Sequence, residues 1–489
     1  MVCNRPLWWW SAALAGGALA GVALPPMGSP PLLWLALVPL WGLGPVAAGL
    51  WGAMAVLVSH RWLLWLHPLD WVGVPLPLSL PLCVLLWAGC GLLAAALVGG
   101  WRWLVQRLGP ERWSVALFAA ALWGLVEVLL ARGPLFWIGL GASALPGDRP
   151  LAAWATWLGA GGVATLQLLI GWGLWRLWLA VRGRRRQAWR VALLWLALVV
   201  AVQGLGWWRL QRAERLEPGS EPLELLVLQP AIPTRRKFEF DQQQALLRRL
   251  DAALGQAEQL GVQALLLPEG ALPLGQELPQ QASVQVLSGG FRQQGTQLRS
   301  ALLLFPPGSQ RPAAALDKHR LVPLGEWIPG GELFAWAGLS AVGGVSPGEP
   351  SRLLARPQGP VGVVICYELA DGTALAAATR EGAGWLLASA NLDPYPLLLQ
   401  QQFRALAQLR ALEVNRWLVS TANTGPSLVV DGAGVVREQL APFVPGELLV
   451  RLQVRQGLTG YGRWGELPLL LLLAGSGFSL WRESRVRQS

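Results

Sequence analysis

Lysine is almost missing from this chain: Lys237 and Lys318 are the two among 489 residues, and arginine supplies nearly all other positive charge. Charged residues of either sign make up only 14% of the sequence, where a soluble protein carries roughly a quarter. A single soluble globule of this length is thereby excluded. Histidine is also scarce. His60, His67 and His319 are too far apart in sequence for ligand spacing, so no metal site is expected. Of the four cysteines, Cys3 is near the N-terminus, and Cys83 and Cys90 fall in an apolar run, where a small buried hydrophobe is the ordinary role. That leaves Cys366 without a disulfide partner in its own part of the chain.

What is present is apolar length. Residues 1–215 are long hydrophobic runs broken by short polar or Arg-bearing loops, and they hold 24 of the 30 tryptophans, a residue that favours the membrane–water boundary. Trp8, Trp9, Trp10, Trp207 and Trp208 read as anchors there. Candidate spans are 7–24, 31–43, 45–59, 80–100, 114–131, 153–175, 191–208 and 467–481, about eight in all. The four from 80 to 208 meet the requirement of about 17–25 residues for a crossing. Pro39 and Pro45 leave open whether 31–59 is one broken helix, and 467–481 is short. Arg5 ahead of an apolar stretch and Ala18–Ala20 also fits a cleavable leader, but further apolar runs follow directly, which favours an uncleaved first helix.

The net charge of +11 does not point to a nucleic-acid partner, because the arginines sit in loops on one side. Arg102, Arg107 and Arg112 share a loop, as do Arg182, Arg184, Arg185, Arg186 and Arg190, and the C-terminus carries Arg482, Arg485 and Arg487. The alternate loops hold only Arg61, and Arg132 with Arg149. By the positive-inside rule both termini are cytoplasmic and residues 216–460 lie outside. The expected organisation is a membrane domain over 1–215, an extramembrane domain over 216–460, and a C-terminal helix with its tail over 461–489. Glu127 is an ionisable residue inside an apolar run, which marks either a functional site or a structural hydrogen bond between helices.

Residues 216–460 alternate strand-like and helical patterns. Strand-like runs are Leu223–Gln229, Val262–Leu267, Ala301–Phe305, Val361–Cys366, Trp385–Ala390, Trp417–Thr421 and Leu448–Val454. Helical patterns occupy Phe240–Gln259, Gly372–Glu381 and Leu397–Glu413, which together argue a layered α/β fold. Cys366 ends an apolar strand. A lone thiol at a strand end is a candidate nucleophile, with a buried structural cysteine as the equal alternative on position alone. Lys318 stands where arginine was not substituted, and a compact ammonium enters a small site that guanidinium does not. Neighbouring His319 should face the opposite way, as adjacent strand residues do. Glu269, in Leu267-Pro268-Glu269-Gly270, is a third candidate and weak alone.

Taken together, Pro268-Glu269-Gly270-Ala271-Leu272-Pro273, Lys318 followed by Leu321-Val322-Pro323-Leu324-Gly325-Glu326, and Val364-Ile365-Cys366-Tyr367-Glu368 resemble the nitrilase superfamily. With the apolar runs around them, and with Gly133-Pro134-Leu135-Phe136-Trp137, Gln229-Pro230-Ala231-Ile232-Pro233 and Thr421-Ala422-Asn423-Thr424-Gly425, the chain resembles the apolipoprotein N-acyltransferases, the membrane-embedded branch. The resemblance implies a multi-span α-helical membrane domain plus an α/β nitrilase-like αββα sandwich. It further implies Cys366 as nucleophile, Glu269 as general base, Lys318 as oxyanion stabiliser, and Glu326, Tyr367 and Glu368 as supporting positions. The implied reaction moves an acyl chain from a phospholipid, through a Cys366 thioester, to the amine of a diacylated lipoprotein. No cofactor is implied, and the enzyme is expected to act as a monomer in the inner membrane with its catalytic domain in the periplasm. Two segments depart from the family pattern, Phe238 after Ile232-Pro233 and Asn391 to Tyr395 after the strand following Cys366; these are expected near the substrate entrance. A membrane-anchored amidase acting on a soluble amide is the alternative. The topology has a direct test: reporter fusions after Arg184 and after Arg215 should give opposite signals, and a cytoplasmic signal from the second would reverse the orientation.

Overall fold

The computed structural model describes residues 8–69, 74–184, 188–215, 222–236, 239–323, 325–327 and 344–486. Phe238 and Lys237 lie outside them, as do Cys3, Arg185, Arg186 and Arg487. The N-terminal half is helical: α1 (Trp8–Ala23), α2 (Pro30–Gly42), α3 (Pro45–Ser59), α4 (Leu76–Leu108), α5 (Trp113–Arg132), the short α6 (Arg149–Ala152), α7 (Ala155–Arg182) and α8 (Ala188–Arg215). Prolines open α2 and α3 at a position whose N–H has no helical partner anyway, so the 31–59 run is two helices joined at Leu43 and Gly44 rather than one bent helix. Pro39 is accommodated inside α2.

Among the described residues, four helices are long and apolar enough to cross a membrane: α4, α5, α7 and residues Ala188–Arg212 of α8. Helices α2 and α3 are apolar but shorter. Many large side chains on these helices face outward, among them Leu85, Leu92, Leu129, Leu194 and Trp207. An apolar exterior of this kind suits lipid and would be a liability in water. The protein is therefore a membrane protein, as its composition indicates.

Beyond α8 the chain alternates between strands and helices. Strands β1 (Leu223–Gln229), β2 (Ala264–Leu272), β3 (Gln285–Gln294), β4 (Gln297–Phe305) and β5 (Ala314–Asp317) form one sheet with β12 (Gly446–Leu452), in the order β12-β1-β2-β3-β4-β5. Strands β6 (Leu353–Leu354), β7 (Val361–Ile365), β8 (Trp385–Ala390), β9 (Leu418–Ala422), β10 (Leu428–Val430) and β11 (Val436–Gln439) form the second, in the order β11-β10-β9-β8-β7-β6. The central pairs β1/β2, β2/β3, β7/β8 and β8/β9 are parallel. Side-chain alternation decides how the layers stack. Leu225, Val227, Leu266 and Leu287 join Val363, Leu387 and Val419 in the core between the sheets. Leu226, Leu228, Leu265 and Leu267 point the other way, onto Leu250, Ala253, Leu254 and Ala257 of α9 (Phe240–Leu260). Helices α10 (Gly372–Arg380) and α11 (Leu397–Val414) cover the second sheet, which completes the αββα sandwich. The chain then returns through α12 (Gly460–Trp464) to α13 (Leu467–Val486), which packs along α5.

The two halves are joined by specific polar contacts. Gly159 has φ +65° and interrupts α7, a conformation open to glycine, and the freed N–H of Ala160 donates to Glu413 Oε1 of α11 at 2.9 Å. Gln402 of α11 donates to the Ser59 carbonyl at 2.9 Å, and Arg149 donates to the carbonyl of Ala433. Within the membrane half, Gly124 of α5 lies against the Gly161 backbone of α7, and any Cβ at Gly124 would strike that carbonyl. Lipid offers little hydrophobic drive between helices, so such close approaches carry the packing. Gly124→Leu should force α5 and α7 apart, costing about 1–3 kcal/mol or more; a clearly lowered unfolding temperature in detergent would show it.

Candidate active site

Glu269 sits within a strand, and Lys318 and Cys366 directly follow one. In the pairing of β2 with β3 the register slips between Leu267 and Leu272, so residues 268–271 bulge out of the ladder and Glu269 leaves the sheet there. Lys318 follows β5 directly, and its N–H bonds the Ser300 carbonyl at 2.8 Å. Asp317, just before it, is clamped by Arg292 at 2.6 Å through both oxygens and by Arg299 at 3.0 Å. Strand β7 ends at Ile365, one residue short of the expected Cys366. Cys366 instead opens a 3-10 turn, Cys366–Ala370, with φ +55°. A non-glycine residue in that region is strained, and the surrounding structure must hold it there.

The structure brings Glu269, Lys318, Glu326 and Cys366 together. Lys318 Nζ donates to Glu269 Oε1 at 2.7 Å and to Glu326 Oε1 at 2.8 Å, with the ammonium almost wholly buried. Burial alone would lower its proton affinity, but the two carboxylates outweigh burial and hold it well above the ordinary lysine range. Burial pushes the Glu326 carboxyl up, against the pull of Lys318, and Glu269 beside it adds to the rise. The Cys366 thiol is buried close enough to Glu269, Lys318 and Glu326 to feel their charges. Burial raises it well above the usual thiol value, the Glu269 charge raises it further, and Lys318 opposes both. The resting site thus holds a neutral thiol and a charged ammonium, with the Glu269 side chain beside both.

Glu326 also accepts from the N–H of Val322 at 2.9 Å, which folds the loop after Lys318 back onto the site. Glu368 does not face the thiol; it is a buried junction. Its carboxylate accepts from the N–H groups of His319 (2.7 Å), Arg320 (3.1 Å) and Ile365 (2.8 Å), and Arg352 donates to both of its oxygens at 3.0 Å. One side chain therefore ties the Lys318 segment to the Cys366 turn. Arg352 carries no signal in the sequence that would have singled it out. His319 turns away as expected: it is exposed, and its Nδ1 donates to the Gly348 carbonyl at 2.7 Å.

Of the residues expected near the entrance, Asn391 is engaged with the site itself. Its N–H donates to Glu269 Oε2 at 3.0 Å, while its side chain is held by Thr234 Oγ1 (3.0 Å) and by Asn423 (3.1 Å). Asn423 in turn brackets Ile232 through both its N–H (2.9 Å) and its carbonyl (2.7 Å). Two of the quoted motifs thus serve to orient the Glu269 carboxylate. Tyr395 lies 3.4 Å from Tyr367, hydroxyl to hydroxyl. Burial raises both phenols, so neither is a phenolate at neutral pH.

An aromatic wall runs from these tyrosines into the membrane half. Trp62, on the turn after α3, meets Tyr395 edge-on at 5.4 Å, and Phe136 lies 5.3 Å from Tyr367 and stacks on Phe403 at 5.3 Å. Glu127, the buried acid of α5, accepts from Trp123 (2.8 Å) and from the N–H of Leu140 (2.9 Å), so it braces the segment that follows Phe136. That geometry supports the structural reading of Glu127. The side chains of His60 and His67 bond Ser59 and Ser79, far from His319 in sequence and role.

The chain is similar to known proteins. Residues 16–173 match the family model described as the apolipoprotein N-acyltransferase N-terminal domain. The apolipoprotein N-acyltransferase of Prochlorococcus marinus strain MIT 9313 is 51% identical, over 96% of this chain and 95% of the relative. That of Parasynechococcus marenigrum strain WH8102 is 48% identical, over 92% and 96%. Among solved structures, the nitrilase-superfamily protein Nit3 of Saccharomyces cerevisiae is 16% identical, covering 49% of this chain and 92% of its own, with a TM-score of 0.37. A variant of the amidase of Nesterenkonia sp. AN1 is 18% identical, covering 50% and 98%, with a TM-score of 0.36. On the full-length relatives, which align across both halves, the chain belongs to the apolipoprotein N-acyltransferase family.

Proposed function

We propose that this enzyme transfers a fatty acyl group from a membrane phospholipid to the N-terminal amine of diacylglyceryl-cysteine lipoproteins, through a thioester on Cys366. The observation that carries the reading is the buried Lys318 ammonium, held by Glu269 and Glu326 beside a thiol in a strained turn. Glu269 takes the thiol proton as sulfur attacks the ester carbonyl of the phospholipid. The tetrahedral oxyanion is met by Lys318 and a backbone N–H following Cys366. Collapse expels the lysophospholipid, whose alkoxide recovers the proton from Glu269. In the second half-reaction the lipoprotein amine attacks the thioester, Glu269 accepts the amine proton, and the amide leaves as the thiolate regains that proton. The two substrates thus use one site in turn, as a ping-pong scheme requires.

A site of this kind suits bilayer-anchored substrates because the aromatic wall of Trp62, Phe136 and Tyr395 continues into the membrane half. We place the catalytic domain, residues 216–460, on the periplasmic side of the inner membrane, between the helices of 1–215 and the helix of 461–489, and take the working unit as a monomer. The soluble-amidase alternative is not favoured, since full-length relatives carry the acyltransferase name. The test is incubation of purified enzyme with labelled phospholipid and a diacylated lipopeptide: labelled N-acyl lipopeptide should form, and hydrolysis of small amides without it would favour the amidase. Lys318→Arg keeps the charge but brings a planar, larger group. Turnover should fall about 10²–10³-fold, the loss typical of one oxyanion donor, and near-normal activity in the folded variant would remove Lys318 from the mechanism.

A further inference from the structure

We propose that Arg320 is a positioning residue that fixes Lys318 against the membrane half of the enzyme, an inference that rests on the reading of Lys318 given above. The last carbonyls of a helix have no partner within it. At the end of α5 two carbonyls, those of Ala131 and Gly133, accept from the Arg320 guanidinium, at 2.6 Å each, through Nη1 and Nη2. A planar fork spans two such acceptors at once, and its charge complements the helix C-terminus. The same residue's N–H donates to Glu368 Oε1, next to that of His319. Two residues upstream, Lys318 reaches Glu269 and Glu326.

The segment 318–320 is therefore pinned at three points: by Lys318 on the site carboxylates, by two N–H groups on Glu368, and by Arg320 on a helix of the membrane half. The Cys366 turn is tied to the same place. Asp371, which closes that turn, lies 3.9 Å from Arg132 at the end of α5, and its N–H bonds the Glu368 carbonyl. Charged groups facing Arg320 are Glu368 and Asp371 of the catalytic domain, and burial together with these two sets its electrostatics. Phe136, three residues past Gly133, lies against Tyr367. The Gly133–Trp137 motif thus has a mechanical role: it presents the carbonyl that holds the lysine segment and the ring that supports the residue after the nucleophile. The consequence is that lysine and thiol are aligned only while α5 is docked beneath them.

The test measures alkylation of Cys366 by iodoacetamide against pH, read by mass spectrometry on the Cys366 peptide of the full-length enzyme in detergent micelles free of phospholipid, with acyl transfer assayed separately. Lys318 favours the thiolate, so displacing the ammonium raises the pH midpoint. Lys318→Met should raise it by about one unit or more, as expected for loss of an opposite charge nearby. Arg320→Met should move the midpoint in the same direction and slow acyl transfer about 10–100-fold, with the KM for phospholipid within about twofold, since small misplacements of this kind reach that size. Arg320→Lys, which keeps one point donor, should fall between, and Arg311→Met, an exposed residue paired with Glu277, should match the parent. A parent-like midpoint in Arg320→Met and Arg320→Lys while Lys318→Met shifts would overturn the inference, whatever their thermal stability. An unmoved midpoint in Lys318→Met would overturn the reading of Lys318 and the inference with it.

Discussion

A buried ammonium is the constraint around which the catalytic half is built. Lys318 is 1% exposed, and a charge taken that far from water is tolerated only with matched partners. Glu269 and Glu326 supply them, and each has a second duty that fixes its place: Glu269 accepts from Asn391, and Glu326 from Val322. The result is an acidic frame around a positive centre: burial, reinforced by Glu269, keeps the thiol protonated at rest, and the two carboxyls keep the lysine charged against its own burial. Under the proposed mechanism, charge redistribution is confined to one proton moving between sulfur, Glu269 and the substrate. Removing Lys318 would leave two buried carboxyls without their shared cation, so the site is interlocked rather than modular.

The same rule extends to the seam between the halves. Glu413 is buried on α11, where it meets Arg410 of its own helix at 3.2 Å and the Ala160 N–H freed by the break in α7. Burial raises its carboxyl to about 7, against the pull of Arg410, with Glu466 and Asp371 nearby. Its folded value lies above the ordinary carboxylate range, so in sign its protonated form is the one that folding favours, and the stability it lends is present at acid pH and lost as pH rises through about 7. The catalytic domain is thus held to the helices by oriented polar contacts (Ala160 to Glu413, Ser59 to Gln402, Ala131 and Gly133 to Arg320) with aromatic packing between them.

Much of this was readable from the chain. Long apolar runs locate α4, α5, α7 and α8, and strands β1 and β8 fall where alternation and apolar content put them. Strand β3 was missed because Ser288-Gly289-Gly290 dilutes its apolar pattern, and β10 and β11 because they are too short to show a period. The residues of the site were legible as motifs but their division of labour was not. Glu368 directly follows the Cys366-Tyr367 pair, yet its carboxylate points into the backbone of the lysine segment. Asn391 is expected near the entrance; that its N–H also lies on Glu269 is hidden in the sequence, since register across β8 and β9 cannot be read from spacing alone. Arg352 and Arg320 look like any other arginine in a chain rich in them; only the fold reveals which carboxylate or carbonyl each one meets.

The central claim is that Cys366 carries the acyl group between two lipid substrates. Incubating the full-length enzyme with phospholipid and no acceptor, then weighing it by mass spectrometry, tests it most directly. A thioester in a site that excludes water hydrolyses slowly. One fatty-acyl addition is therefore expected, on the peptide containing Cys366, removed by hydroxylamine, discharged by a diacylated lipopeptide, and unaffected when Cys3, Cys83 and Cys90 are replaced by alanine. An adduct that persists in Cys366→Ala, or that maps to another cysteine, would contradict the account.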